Sequence, residues 1–182
     1  MPFRLDRFKG NFAFEGARPT LFDAKITFPN TTIVGNALRD FTFHCKSAQL
    51  PGKTLGIIEV PYFGRKIKVQ GDQTFAEWTV TVINEETFSV RETFEKWMSL
   101  INSHVGNTKT LPTYKCDATV TQYTKFEMLG DVTYTFTGMW PSDISAIDVS
   151  WESNDAIEEF TVTLQYDWWE KLDNDVTDRP SN

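Results

Sequence analysis

Two histidines, two cysteines and 25 acidic residues are the side chains with which this 182-residue chain could do chemistry. A zinc centre needs three or four His, Cys or carboxylate ligands converging on one point. His44, Cys45, His104 and Cys116 are too scattered for that, so only the tertiary fold could assemble such a site. Asp155 with Glu158 and Glu159 can be read as the carboxylate pair of a glycosidase. Neighbouring residues on a strand face opposite ways, however, which favours a solvated acidic surface. Gly64-Arg65-Lys66 lacks the further glycines and the Ser or Thr of a phosphate loop, and no nucleophile elbow occurs. Arg65, Lys66 and Lys68 alternate with Ile67 and Val69, the pattern of a strand's outer face rather than a phosphate clamp. No candidate catalytic group has a partner at credible spacing, so neither an enzyme nor a cofactor or metal is expected.

Most of the elements that must carry these residues read as strands. Apolar side chains recur at every second position in Phe22–Phe28, Phe41–Cys45, Ile67–Val69, Trp78–Val82, Cys116–Gln122 and Val132–Phe136. The longest such face is Phe160, Val162, Leu164, Tyr166 and Trp168. A weaker run, Ile147, Val149 and Trp151, precedes a turn at Ser153-Asn154-Asp155, and Trp140-Pro141-Ser142-Asp143 reads as a break. Gly130-Asp131 reads as a hairpin turn. Ile58, Val60 and Tyr62 face one way, although Pro61 demotes that run to an edge or a loop arm. One helix stands out: Phe88, Arg91, Phe94, Trp97, Met98 and Ile101 recur at three- and four-residue steps over about four turns. Asn84 or Thr87 is its expected cap, with Glu85 and Glu86 at the positive end of the dipole.

Composition sets this as one ordered domain, 40% hydrophobic and 24% charged. No stretch is long and apolar enough to span a membrane, and the charged N-terminus is not a signal sequence. Two cysteines make no disulfide framework, which points to a reducing compartment. The net charge of -7 is unevenly placed: residues 143–182 hold 11 acidic and 2 basic residues, leaving residues 1–142 at +2. A general nucleic-acid grip, which needs clustered Lys and Arg, is disfavoured.

Two features stand apart from the strand pattern. From Lys46 to Arg65 runs a long arm around Leu50-Pro51-Gly52-Lys53, and long ordered arms are usually binding elements. Trp168 continues the buried face of the last strand, so Trp169 should point outward, where an exposed tryptophan would suit a subunit interface.

Several strings resemble the tail tube proteins of contractile-tailed (myovirus) bacteriophages. They are residues 17–22, 43–48, 65–75, 78–84, 138–142, 151–154 and 157–164, in the same order over roughly residues 12 to 170. The resemblance implies a mainly β fold: a sandwich-like β-barrel with one flanking α-helix, the helix matching Phe88–Ile101. It implies one tube domain over residues 1–172, with a stacking loop at about 46–62, followed by a flexible acidic tail at 173–182. Six copies would form a ring, and rings would stack into the hollow inner tube of a virion tail. Assembly would take place in the host cytoplasm. The partners implied are further copies of the chain, the tail sheath protein, baseplate and tail terminator proteins. Tape measure protein and DNA would occupy the lumen without sequence-specific binding, and no membrane insertion is implied. Residues 29–40 look longer than the family's usual connection.

The charge pattern adds candidate positions to that picture. Asp143, Asp148, Glu152, Glu158 and Glu159 are candidates for a DNA-repelling lumen, and threonine faces at 133/135/137 and 161/163 for its polar wall. Leu50, Lys53, Leu55 and Ile57 are the ring-stacking candidates, and Trp169 is the candidate at the subunit interface. The alternatives are a tube-initiator or baseplate protein of the same fold, or a carbohydrate- or peptide-binding β-sandwich that stacks ligand on Trp169 or Tyr123.

Overall fold

A computed structural model describes residues 10, 16–29, 35–107, 114–125, 131–152 and 155–172. The expected turns at Gly130 and Ser153-Asn154, the N-terminal segment 1–9, most of the 29–34 connection and the acidic tail 173–182 lie outside these residues.

The alternating runs form the strands of a two-layer sandwich. In chain order these are β1 (Phe22–Ile26), β2 (Cys45–Ala48), β3 (Lys53–Tyr62), β4 (Arg65–Phe75), β5 (Trp78–Ile83), β6 (Cys116–Gln122), β7 (Val132–Ile144), β8 (Glu159–Gln165) and β9 (Trp168–Leu172). Seven of them join in one sheet, with a path of order β1-β6-β7-β8-β5-β2 and β9 added alongside β7. All pairings are antiparallel. The first half of β7 pairs with β6 and β9, and its second half, from Trp140, pairs with β8. The sheet thus folds back on itself through β7: β1, β6 and β9 make one layer, and β8, β5 and β2 the other.

Gly138 is the swivel of that fold-back. Its φ is +72°, and a Cβ there would sit 2.2 Å from the Asp167 carboxylate. Only glycine takes this backbone without strain. The expected break at Trp140–Asp143 is therefore corrected: the strand runs on through Pro141, with a register shift between Pro141 and Asp143 that accommodates a residue lacking an N–H.

The inner faces of the layers meet in one core. Trp78 of β5 lies 4.6 Å, centroid to centroid, from Phe136 of β7, and Phe136 meets Tyr166 edge-on at 5.0 Å. Val80, Val82, Val120, Phe160, Val162 and Leu164 complete it, each at most 1% exposed.

Two helices, α1 (Ala37–His44) and α2 (Ser89–Ile101), cover one side, where a single helix was expected. Phe41 and Phe43 do not alternate in a strand. The i,i+4 pair Ala37 and Phe41 is fully buried while Phe43 faces out, and three alternating residues were too few to separate the two periods. Phe28, Phe41, Phe94 and Trp97 meet in mostly edge-to-face contacts between helices and sandwich. Neither Asn84 nor Thr87 caps α2. Phe88 holds the N-cap position in the left-handed region (φ 54°), and Thr87 Oγ1 donates instead to Glu85.

Candidate assembly interface

Beside this sealed sandwich, β3 and β4 form a ribbon that pairs with no other strand among the described residues. The Lys46–Arg65 arm is thus not a loop: its first residues belong to β2, and the rest builds a hairpin that continues to Phe75. The turn is Phe63-Gly64, both at positive φ (43° and 77°), which matches the twist of a two-residue hairpin. Near the base, Gly56 packs against Gly71, where a Cβ would meet the Gly56 carbonyl carbon at 3.0 Å and its oxygen at 3.1 Å. The register slips there, so the ribbon carries a bulge that requires two glycines.

Directly opposed residues of an antiparallel pair share a face. The pairs Ile58–Val69, Val60–Ile67 and Tyr62–Arg65 therefore give one face an apolar ladder. The other face carries Glu59, Lys66 and Lys68 toward the tip, with Lys66 Nζ 2.6 Å from Glu59, and Leu55 and Ile57 toward the base. Every large apolar side chain of the ladder is exposed, from Val60 at 45% to Tyr62 at 64%, and Phe63 at the tip reaches 90%. Their alternation predicts half-buried positions for Ile67 and Val69, but nothing among the described residues covers them. An isolated two-stranded ribbon is at best marginal in water.

Two tryptophans fix the ribbon's base. Buried Trp78 donates from Nε1 to the Gln49 carbonyl at 2.7 Å, and Trp169 Nε1 donates to the Gly52 carbonyl at 3.1 Å. Lys53 lies 5.3 Å over the Trp169 ring, which also meets Tyr134 edge-on. The expectation for the two C-terminal tryptophans is therefore reversed. β8 stops at Gln165, and after the Tyr166-Asp167 step β9 joins the other layer, leaving Trp168 half-exposed and Trp169 packed on the core.

The sequence candidates for an acidic lumen fall in two places. On β8, residues 159, 161, 163 and 165 face away from the core, opposite buried Phe160, Val162 and Leu164. Cross-strand partners place Asp143 beside Thr163, Thr81 beside Thr161, and Ser47 beside Thr81. The outer face of this layer is thus a threonine and serine wall bearing Asp143 and Glu159, and Gln165 bonds Glu77 at its border. Lys46 neutralises Glu159 at 2.6 Å. Asp148, Glu152 and Glu158 instead lie in the connection between β7 and β8, where Asp148 and Glu158 border one shallow depression. Glu158 is tied there, accepting from Asn84 Nδ2 at 2.8 Å, while its carbonyl accepts from the Asn84 N–H. The two threonine sets do not form one wall either, because Thr133, Thr135 and Thr137 line the outer face of the other layer. The expected strand at Ile147–Trp151 is absent; this segment is irregular, with Val149 exposed and Trp151 fully so.

The chemistry-bearing side chains stay apart. His44 ends α1, and Cys45 and Cys116 are free thiols. Burial pushes both thiols up to about 12, which keeps them protonated and unreactive at neutral pH. Among the described residues no cluster of three or more His, Cys, Asp or Glu could hold a metal, and no helix is long and apolar enough to cross a membrane.

Residues 65–75 carry part of the family resemblance, but hydropathy alone does not show that Ile58, Val60, Tyr62, Ile67 and Val69 share one exposed face. The available signal was Phe63-Gly64 between two alternating runs, a hairpin turn hidden by the phenylalanine.

Comparison with known proteins agrees with this geometry. The family model described as phage tail tube protein matches residues 17–172. The chain is 37% identical over 164 residues to the tail tube protein gp19 of Enterobacteria phage T4, covering 87% of this chain and 95% of that one. It is 26% identical over 172 residues to the tail tube protein of Serratia phage KSP90, covering 89% and 93%. Among solved structures, a chain of the anti-feeding prophage baseplate superposes with a TM-score of 0.63 at 12% identity, over 86% of this chain and 95% of that one.

Proposed function

The chain belongs to the phage tail tube protein family and has a structural role in the tail, and from that premise we propose that six copies close into a ring and rings stack into the hollow inner tube that conducts DNA. The observation that carries this reading is the β3–β4 ribbon, an ordered hairpin whose apolar ladder finds no cover among the described residues. A β3 of 10 residues reaches about 30 Å, farther than the roughly 20 Å spanned by β5. The ribbon is long enough to leave its own ring and lie on the next. Six-fold closure follows the family resemblance, and the baseplate that shares this fold is described as 6-fold symmetrised.

The outer face of the β2-β5-β8 layer suits the lumen better than that of the other layer. It offers short hydroxyl side chains with Asp143, Glu159 and Glu77 among them, whereas the other face exposes Trp168 and Leu172. Carboxylates on that wall repel passing phosphates, and nothing there grips a base edge. Trp169 acts by holding the ribbon's base rather than by meeting a neighbour directly. Sheath, baseplate and terminator proteins are the partners of such a tube, with tape measure protein and DNA inside it. The protein works in the virion tail after assembly in the host cytoplasm, and does so without catalysis.

Negative-stain microscopy of concentrated purified protein tests this. Hollow tubes are the expected outcome. Single rings that never stack would indicate a tube initiator, and monomers that bind glycans would indicate a lectin-like module. Val60→Asp/Ile67→Asp should leave the far-ultraviolet circular dichroism unchanged and abolish tubes.

A further inference from the structure

The ribbon joins the sandwich through two short linkers, residues 49–52 between β2 and β3 and residues 76–77 between β4 and β5. Both are touched by one stretch of chain, residues 165–169, where the backbone crosses from β8 in one layer to β9 in the other. Gln165 Nε2 donates to the Glu77 carboxylate at 3.2 Å, and the Tyr166 ring lies 6.1 Å from that of Phe75. Trp169 closes the other side: its Nε1 donates to the Gly52 carbonyl, and Lys53 Nζ sits over its ring. The stretch is itself anchored to the sandwich. Asp167 packs at Gly138 and holds Lys115, while Trp169 meets Tyr134 edge-on at 5.4 Å.

We propose that residues 165–169 form a collar that aims the ribbon, with Trp169 as its positioning residue. Releasing Trp169 lets the ribbon swing on its two linkers while the sandwich stays intact. The tube reading supplies what the ribbon is for; the aiming is a property of the single chain and goes beyond that reading. Three observations carry the inference. Among the described residues no strand of either layer pairs with the ribbon, so no ladder of backbone bonds fixes its angle. The two tryptophan bonds fall at the two ends of the first linker and differ in kind. The bond to Gln49 comes from Trp78, 1% exposed, and is a buried pivot. The bond to Gly52 lies at the surface and comes from β9, a strand paired with β7 alone among the described residues. Finally, Gly52 has open space where a Cβ would stand, so the backbone at this latch can move without collision. A surface contact of this kind opens well below the free energy of global unfolding. Because the latch sits on β9, the ribbon is aimed only in a molecule whose β9 has joined β7. An element already held in one orientation loses less freedom on association.

Distances between spin labels on the full chain, measured by pulsed electron resonance on dilute protein, test the collar. One label pair, Arg65→Cys/Lys96→Cys, spans the ribbon tip and the exposed side of α2. A control pair, Lys96→Cys/Thr163→Cys, lies within the sandwich; Cys45 and Cys116 are kept from the label by their burial. The parent should give one narrow distance for each pair. Trp169→Ala should widen the tip distance roughly two-fold or add a second one, as release from a single minimum does. Trp169→Phe, which keeps a ring beside Tyr134 and Lys53 but loses the N–H, should fall between. The control distance should stay narrow throughout. A tip distance as narrow in both variants as in the parent would overturn the inference and leave the tube reading standing. Broadening of the control pair in both variants would overturn it too, because Trp169 would then serve the core rather than the ribbon. In assembly, Trp169→Phe should raise the concentration needed for tube growth by roughly three- to ten-fold, since the ribbon must then be ordered on contact. Absence of tubes from the parent would sink the tube reading and leave the distances to decide the collar.

Discussion

The sandwich and the ribbon are written in the same alphabet but solve opposite problems. In β5, Trp78, Val80 and Val82 alternate with Thr79, Thr81 and Ile83, and the first three are at most 1% exposed. In β4, Ile67 and Val69 alternate with Lys66, Lys68 and Gln70, and all five are exposed. Side-chain alternation therefore records that a strand has an apolar face without recording what covers it. In the sandwich the cover is the facing layer, and stability is internal to one chain. In the ribbon no described residue supplies that cover, and on the proposed tube reading its stabilisation belongs to the assembly.

The largest effect that tests this contrast comes from cutting each region separately. Trp97→Ala empties a site that is fully buried among Phe28 and Phe94, and it also leaves the Tyr114 carbonyl without the 2.9 Å bond from Nε1. A loss of about 3–5 kcal/mol is expected from chemical denaturation. Replacing residues 54–74 by two glycines removes the whole ribbon but keeps its base pair, Lys53 and Phe75, close enough to be joined. That variant should melt within about 2 °C of the parent, because the ribbon lends the sandwich almost no buried surface. A drop comparable to that of Trp97→Ala would mean that the ribbon is part of the core after all.

The same contrast explains what the sequence made legible. Wherever cover was internal and the run was long, as in Trp78–Val82, Cys116–Gln122 and Phe160–Leu164, period two placed both strand and buried face correctly. The α2 stripe was equally plain. Short or interrupted runs misled. Three alternating residues at Phe41–Cys45 concealed the one-turn spacing of Ala37 and Phe41. Pro141 looked like a stop because periodicity cannot show that β7 changes partners there, while Gly138 supplied the only local sign of it. The proposed assembly surface was half visible. Leu55 and Ile57 were singled out, but the ladder on the opposite face depends on β3–β4 register, and register follows from the turn and bulge rather than from hydropathy. The acidic last fifth was visible as composition only. Its division between a wall at Asp143 and Glu159 and a connection at Asp148 and Glu152 is a matter of topology.

Gly138 offers an intermediate effect on the sandwich side. Gly138→Ala forces a side chain into the left-handed region and against Asp167, whose carboxylate holds Lys115 Nζ at 2.7 Å and whose N–H donates to the Thr137 carbonyl. A loss of roughly 1–3 kcal/mol is expected, with tube formation retained below the new melting point. Tubes lost without any change in stability would mean that the swivel governs the ring contacts directly.

The smallest effect concerns the thiols, and it asks how tightly the sandwich is sealed compared with the ribbon. Cys45 and Cys116 ordinarily would ionise near 9; burial raises both to about 12, with Asp23 and Asp117 adding to the rise. The folded state therefore disfavours the thiolate. The corresponding stability is fully present below pH 9 and is lost as the pH rises from there toward 12. At pH 8.5 a thiol-specific reagent should modify the native chain on the order of 1000-fold more slowly than the chain unfolded in guanidinium, since the thiolate is the reactive form. A cysteine introduced at Val60 on the exposed ladder gives the internal comparison. It should react rapidly in the soluble protein and slowly in assembled tubes, where a second copy covers it. Equal reactivity in both states would mean that the ladder stays bare in the tube and that the two regions differ in exposure alone, with no partner to explain it.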